Sequence, residues 1–471
     1  MLARRIALNT IVAAAARIAN TALALVTIGL ITRYLTKAEW GEYSLMLTFG
    51  GIFAVLADGG LYQLLVREIS RPGADEQKIV NNIFSLRLLS GLFIFALAPA
   101  AALFFPYSSQ ARWGIAVGMA GYWLLSNNQV LMGVFQKHLR LDKVAVTETA
   151  GRIVQLGLVV IFSKAQLGFL WIVAALGFGS LINLGWLVFS ARQWVFWRWQ
   201  IDFNFWRQSI RQSLPLGLAA ILTMVYFSFD TLILSIWQPA ETVGTYRLSY
   251  KVLESLIFFP AMFAGLIMPI FSQAAWLDKE RFCRILQKSQ EILLIFAVPL
   301  VLGTLIVSPK VVALLGGGNY PEAAAVLNIL IVATGFIFLS TLFSYALIAL
   351  GKQKINFKIS FGVAIVSLAF NFGLIPYWSY WAAAWSHVLT EFLVAAAMLL
   401  ALKRLLGFFP SFRIVFKCLA AALPMAALLW WWREQNIFCL LAAAVFVYFG
   451  LLYLFKGFSA KELFSLVKKS V

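Results

Sequence analysis

The chain has 471 residues, of which 62% are hydrophobic and 12% charged, whereas soluble domains run at about half apolar and a quarter charged. Repeated apolar runs of roughly 20 residues point to membrane helices, and the lack of short alternating segments argues against a transmembrane barrel. The net charge of +19 comes from basic residues gathered in short segments between the apolar runs, which is a topology signal and not a nucleic-acid footprint.

Fourteen apolar stretches follow one another along the chain: 7–32, 43–66, 79–105, 113–136, 144–163, 168–190, 214–236, 243–270, 290–308, 323–350, 356–376, 380–402, 414–432 and 437–455. The fold class expected is an all-α polytopic membrane protein with about 14 transmembrane helices. The first stretch starts after Arg4 and Arg5 and contains Ala22-Leu23-Ala24, superficially a cleavable signal. Arg17 breaks its apolar core and the run continues past Leu30, so an uncleaved first span is expected. Cys283, Cys418 and Cys439 are too few and scattered for a disulfide framework or a metal-ligand spacing.

Orientation follows from lysine and arginine. With the N-terminus in the cytoplasm, 27 of the 38 fall in cytoplasmic segments, among them Arg67, Arg71, Arg192, Arg198, Lys279, Lys352, Lys403 and the tail lysines Lys456, Lys461, Lys468 and Lys469. Six lie on the opposite side: Arg33, Lys37, Arg112, Lys164, Lys310 and Arg433. The bias places both termini in the cytoplasm.

The longest connection, 191–213, alternates Trp194, Trp197, Trp199 and Trp206 with Arg192, Arg198, Arg207 and Arg211. Such a segment suits the headgroup region. It divides an N-terminal six-helix lobe (1–190) from a second (214–402), followed by a C-terminal helix pair and cytoplasmic tail (403–471). The lobes share a motif. Ala38-Glu39-Trp40-Gly41-Glu42-Tyr43-Ser44-Leu45 and Ala240-Glu241-Thr242-Val243-Gly244-Thr245-Tyr246-Arg247-Leu248 both read A-E…G-x-Y-x-L with one residue inserted. An even number of spans per repeat gives both lobes one orientation, related by pseudo-two-fold symmetry about the membrane normal, with a cargo site expected between them.

These residues carry a family likeness. Arg33-x-Leu35, Gly41-x-Tyr43, Asp58-Gly59-Gly60-Leu61 with Arg67, Asp230-Thr231-Leu232-Ile233-Leu234, Gly244-x-Tyr246, Leu314-Leu315-Gly316 with Tyr320 and Ala323, Ala349-Leu350-Gly351-Lys352, Asn371 with Ile375-Pro376, and Thr390-Glu391 occur in order. Together, over roughly residues 5–400, they resemble the Wzx-type polysaccharide and O-antigen flippases of the multidrug/oligosaccharidyl-lipid/polysaccharide exporter superfamily. The resemblance implies alternating-access movement of undecaprenyl-pyrophosphate-linked oligosaccharide from the cytoplasmic to the periplasmic leaflet. It also implies membrane lipids, a polysaccharide polymerase and glycosyltransferases as partners. Trp381-Ala382-Ala383-Ala384 departs from the Gly-Ala-Ala-like start usual in the twelfth span.

Arg17, Arg87 and Arg152 are the eleventh, ninth and ninth residues of spans 1, 3 and 5, at a similar depth. Each costs about 2.5–3.5 kcal/mol at mid-bilayer on insertion scales. Guanidinium groups bind phosphate oxygens in pairs, so the three are candidates for a shared anion site. The competing reading is internal pairing, Arg152 with Glu148 at i,i+4 and Arg17 with Asp58. In span 8, Arg247, Lys251 and Glu254 share a face. Arg247 is expected to snorkel, and Lys251 either contacts cargo or pairs with Glu254. Asp230 in span 7, and His387 with Glu391 one turn apart in span 12, are candidates for a polar or proton-carrying network.

No catalytic triad or nucleotide motif is present. Leu314-Leu315-Gly316-Gly317-Gly318-Asn319 lacks the following Lys-Ser/Thr of a phosphate loop. No cofactor or metal is therefore expected, and a proton or other ion is the candidate driving partner. A multidrug/cation antiporter of the same superfamily is the alternative, and a membrane-embedded glycan polymerase or transferase a second. The short outer loops disfavour the enzyme.

Overall fold

The computed structural model describes residues 2–455, with the side chains of 2–14, 219, 222–223, 225–227 and 276–277 excluded. The tail lysines from Lys456 onward lie outside the described residues. Every described element is a helix: α1 (Leu2–Tyr34), α2 (Lys37–Asp58), α3 (Leu61–Ile69), α4 (Glu76–Ala102), α5 (Ser109–Lys137), α6 (Leu141–Lys164), α7 (Phe169–Ala191), α8 (Phe203–Trp237), α9 (Ala240–Leu256), α10 (Phe258–Leu277), α11 (Lys279–Gly316), α12 (Pro321–Ala349), α13 (Gln353–Leu406), α14 (Arg413–Trp431) and α15 (Ile437–Leu454).

Among the described residues, eleven helical segments are long and apolar enough to cross a membrane. The long α13 contains a break at Ser379 (φ 53°, ψ −138°) that divides expected spans 11 and 12. The 29-residue α5 and 35-residue α8 stand at expected spans 4 and 7. With these the fourteen expected spans are all represented. Two of them are interrupted. Span 2 is broken at Gly59–Gly60 into α2 and α3, and span 8 at Ile257 into α9 and α10.

The chain forms two compact units, Met1–Gly244 and Thr245–Val471. In the first, α5 is central and packs against α2, α3, α4 and α7, while α1 lies along α6 and α8 along α2 and α3. Lipid chains give helices little hydrophobic reason to associate, so close backbone approach matters. Gly121 supplies it, since a Cβ there would sit 3.0 Å from Gly177 Cα on α7. In the second unit α12 is central, against α10, α11 and α13. The C-terminal pair α14–α15 docks on α11 through Cys418, Ala421, Ala422, Met425, Leu440 and Tyr448. The Tyr448 hydroxyl donates to Ile295 O at 2.8 Å.

The repeated motif has a structural purpose. Thr36 and Glu39 form a capping box that starts α2. A Cβ on Gly41 would fall 1.8 Å from Ala240 O, and one on Gly244 2.9 Å from Lys37 O. The Trp40 indole N–H donates to Gly244 O at 2.9 Å. The two motif glycines thus allow the start of α9 to lie backbone against backbone on the start of α2.

The 191–213 segment is irregular only to Asp202, after which α8 begins. Its tryptophans divide. Trp194 stacks on His138 (4.5 Å, 6°), the Trp197 indole donates to Val188 O at 3.1 Å, and the Trp206 indole donates to Asn82 O at 3.1 Å. Trp199 alone of the four is mostly open, at 69% exposure. The headgroup expectation therefore suits Trp199, together with exposed Phe196 and Phe203, while the other three clasp the helices beneath.

Candidate functional site

The charged residues expected at mid-membrane fall into several local arrangements. The first surrounds the α2–α3 break. Gly59 (φ 48°) and Gly60 (φ 83°) both adopt left-handed backbone, which stops α2. The Asp58 carboxylate turns over the break, accepting the N–H of Gly60 (3.2 Å) and of Tyr62 (3.3 Å). It also accepts Arg87 Nη1 at 2.5 Å, and Arg87 Nη2 donates to Gln129 Oε1 at 2.6 Å. One ion pair thereby ties α2, α3, α4 and α5.

This geometry corrects two expectations. Asp58 is the partner of Arg87 and not of Arg17. The Arg87 side chain is 0% exposed, so its guanidinium offers no open surface to an anion. Arg17 and Arg152 differ from it. Arg17 is exposed on α1, and α1 packs along α6, which carries Arg152. Arg152 Nη2 lies 3.3 Å from Glu148 Oε1, with side chains 35% and 32% exposed. The i,i+4 pair anticipated from sequence forms, and it remains open on one side. Asp230 is buried on α8, its Oδ1 accepting the Thr231 N–H and hydroxyl.

The second unit holds several polar side chains on α9, α12 and α13. On α9, Glu254 accepts Lys251 Nζ at 2.7 Å and Arg247 Nη2 at 3.1 Å. Snorkelling was expected of Arg247 from its place near the helix end, but its side chain is turned inward. It is buried against Glu254, its guanidinium 5.0 Å from the Tyr250 ring centre. On α13, His387 meets Tyr250 edge-on at 5.4 Å. Glu391, one turn on, accepts the Ser340 hydroxyl of α12 at 3.2 Å. His387 and Glu391 are both buried.

Sequence reasoning passed over Gln129, Ser340, Tyr250 and Glu42. For Glu42 a signal existed, because the repeat places an acid there and Thr245 at the equivalent position. Among the described residues no group of three or more His, Cys, Asp and Glu is arranged to hold a metal ion.

Comparison with known proteins bears on the family and the fold. Residues 6–275, more than half of the chain, match the family described as Polysaccharide biosynthesis protein, and residues 215–373 match MatE. Over 200 residues the chain is 26% identical to a Shigella dysenteriae protein named "Putative O-antigen transporter", covering 41% of this chain and 49% of that protein. The chain thus spans about half the length of this curated relative. A solved structure of the lipid II flippase MurJ, inward closed, superposes with TM-score 0.77 at 12% identity, covering 94% of this chain and 98% of that one. An inward-facing multidrug resistance MATE transporter of the MOP superfamily gives TM-score 0.65 at 14% identity, with coverages of 84% and 98%. A MOP-superfamily transporter from Pyrococcus furiosus gives 0.57 at 13%, with coverages of 85% and 95%. At these identities the superpositions speak for the fold alone, which this chain shares with the MurJ and MATE structures, and the match over residues 6–275 shows that it belongs to the polysaccharide biosynthesis protein family.

Proposed function

We propose that the chain is a flippase carrying an undecaprenyl-pyrophosphate-linked oligosaccharide from the cytoplasmic to the periplasmic leaflet of the inner membrane by alternating access, for surface polysaccharide assembly. The observation that carries this reading is the family match across residues 6–275, which takes in α1 to α9 and nearly all of α10. The name of the Shigella relative supports the cargo class. The charge distribution supports a pyrophosphate. Arg17 and the open side of Arg152 in the first unit, and Lys251 beside Glu254 in the second, offer cations suited to phosphate oxygens. Arg87 and Asp58 are assigned to bracing the α2–α3 break, and His387 and Glu391 to the polar network within the second unit. Functionally, the six-helix lobes are 1–190 and 214–402, joined by the 191–213 linker, with both termini cytoplasmic. Glycosyltransferases and a polymerase would act before and after it.

The test is genetic and biochemical. Deleting the gene is expected to abolish one surface polysaccharide and to leave its lipid-linked repeat unit accumulated on the cytoplasmic leaflet, with rescue by the intact chain. Full surface polysaccharide in the deletion strain would refute the proposal. The MatE match over residues 215–373 favours a second reading, multidrug or cation antiport. That reading predicts drug hypersensitivity of the deletion strain with normal surface polysaccharide.

A further inference from the structure

Glu42 takes no part in the arrangements above. It stands in the second turn of α2 and is 9% exposed. Its Oε1 accepts a 2.5 Å hydrogen bond from the Ser108 hydroxyl, the N-cap of α5. Its Oε2 is buried without a hydrogen-bond partner. Among the described residues no lysine, arginine or histidine forms an ion pair with it.

Charged and titratable groups on α2 and on the helices packed against it have other partners, and so do Arg33 of α1 and Glu241 of α9. Glu39, on the same helix, accepts from Thr36 and from Gln110 of α5. Arg112 of α5 donates to Phe105 O. On α8, Asp230 accepts from Thr231. The Tyr107 hydroxyl, in the α4–α5 connection, shares a hydrogen bond with Ser235 of α8. On α4, Arg87 is held by Asp58 and Gln129. Lys37 begins α2 and forms no pair with Glu42.

An ionised carboxylate buried without a counter-charge is strongly disfavoured, and the usual remedy is to bind a proton. The geometry suits the neutral acid, with Oε1 as the carbonyl that Ser108 donates to and Oε2 as the hydroxyl. It does not suit a metal cation. The Ser108 oxygen already accepts the Ala111 N–H at 2.9 Å, which leaves one carboxylate where hard cations need several oxygens. Nor does helix initiation require this acid, since Thr36 and Glu39 supply the cap. In the second repeat Glu241 matches Glu39, whereas the position of Glu42 is taken by uncharged Thr245.

We propose that Glu42 is a proton-binding site of the first unit, at the end of α2 that the lysine and arginine bias assigns to the periplasm, and that it takes up the proton that drives transport. The coupling half rests on the flippase reading; the protonation half does not.

Infrared difference spectroscopy on the full-length protein in lipid nanodiscs tests protonation directly. At neutral pH the wild type is expected to show the carbonyl band of a buried carboxylic acid, sensitive to H/D exchange and missing in Glu42→Gln. Ser108→Ala, which keeps the acid but removes its donor, should move that band to higher frequency, so the site stays testable if Glu42→Gln misfolds. A neutral-pH spectrum without the band, or the same band in Glu42→Gln, overturns the proposal. So does loss of the band on adding sodium at constant pH. In proteoliposomes an imposed proton gradient should speed wild-type flipping, and the ratio with and without the gradient should fall to unity in Glu42→Gln. An undiminished ratio overturns the coupling. Failure of the wild type to flip the lipid-linked sugar would refute the flippase reading, with the band still deciding the site.

Discussion

Asp58→Ala is expected to be far more damaging than its single charge suggests. The substitution strands the Arg87 guanidinium, which is 0% exposed and keeps only Gln129. Removing one member of a buried ion pair costs about 3–5 kcal/mol. Losing the carboxylate also leaves the Gly60 and Tyr62 N–H groups without their acceptor, which adds to the cost. The contrast is Glu148→Ala, which breaks a pair whose members are 32% and 35% exposed and is expected to cost about 0.3–0.5 kcal/mol, as for other i,i+4 helix pairs. Reversible SDS unfolding in mixed micelles measures both. Arg87→Ala and the double variant complete a cycle, in which the coupling should reach the upper part of the about 0.5–3 kcal/mol range for contacting residues. If Asp58→Ala costs no more than Glu148→Ala, or if the two substitutions simply add, the pair is not the brace of the α2–α3 break.

Gly41→Ala should force the start of α9 away from α2, because the new methyl would lie 1.8 Å from Ala240 O. A destabilisation of about 1–3 kcal/mol is expected for such overpacking, read as lower abundance and easier unfolding; wild-type behaviour would contradict the backbone contact. The double variant Glu148→Gln, Arg152→Gln should accumulate normally yet flip cargo poorly. Normal flipping would show that Arg152 serves only to neutralise Glu148. Reporter fusions after residues 75, 200 and 280 should report cytoplasm, and those after 108 and 318 the opposite side; systematic inversion would overturn the orientation.

The spans were legible because length and hydropathy alone define them. The Arg152–Glu148 and Lys251–Glu254 pairs were legible because both partners share a helix. Arg87 and Asp58 lie on different helices, and helices apolar on nearly every face do not reveal which way one arginine turns. Depth alone matched Asp58 to Arg17, whereas the bend at Gly59–Gly60 delivers its carboxylate to α4. That break was hidden because the glycines sit inside an apolar run. The repeated motif was visible, but its purpose was not, since close backbone packing between Gly41 and Ala240 has no one-dimensional signature. The linker tryptophans looked alike in sequence. They part company because Asn82 of α4 and the Val188 carbonyl of α7 offer partners to two indoles, and His138 a stacking surface to a third.

The most direct test is flipping by the purified protein alone. Proteoliposomes would carry undecaprenyl-pyrophosphate-linked oligosaccharide, and a membrane-impermeant glycosidase would report its transfer between leaflets. Protein-dependent transfer that is lost on replacing Arg17 or Arg152 with Ala, in variants that insert and accumulate normally, is the predicted result. Transfer no faster than in protein-free vesicles, with the protein shown to be folded, would contradict it.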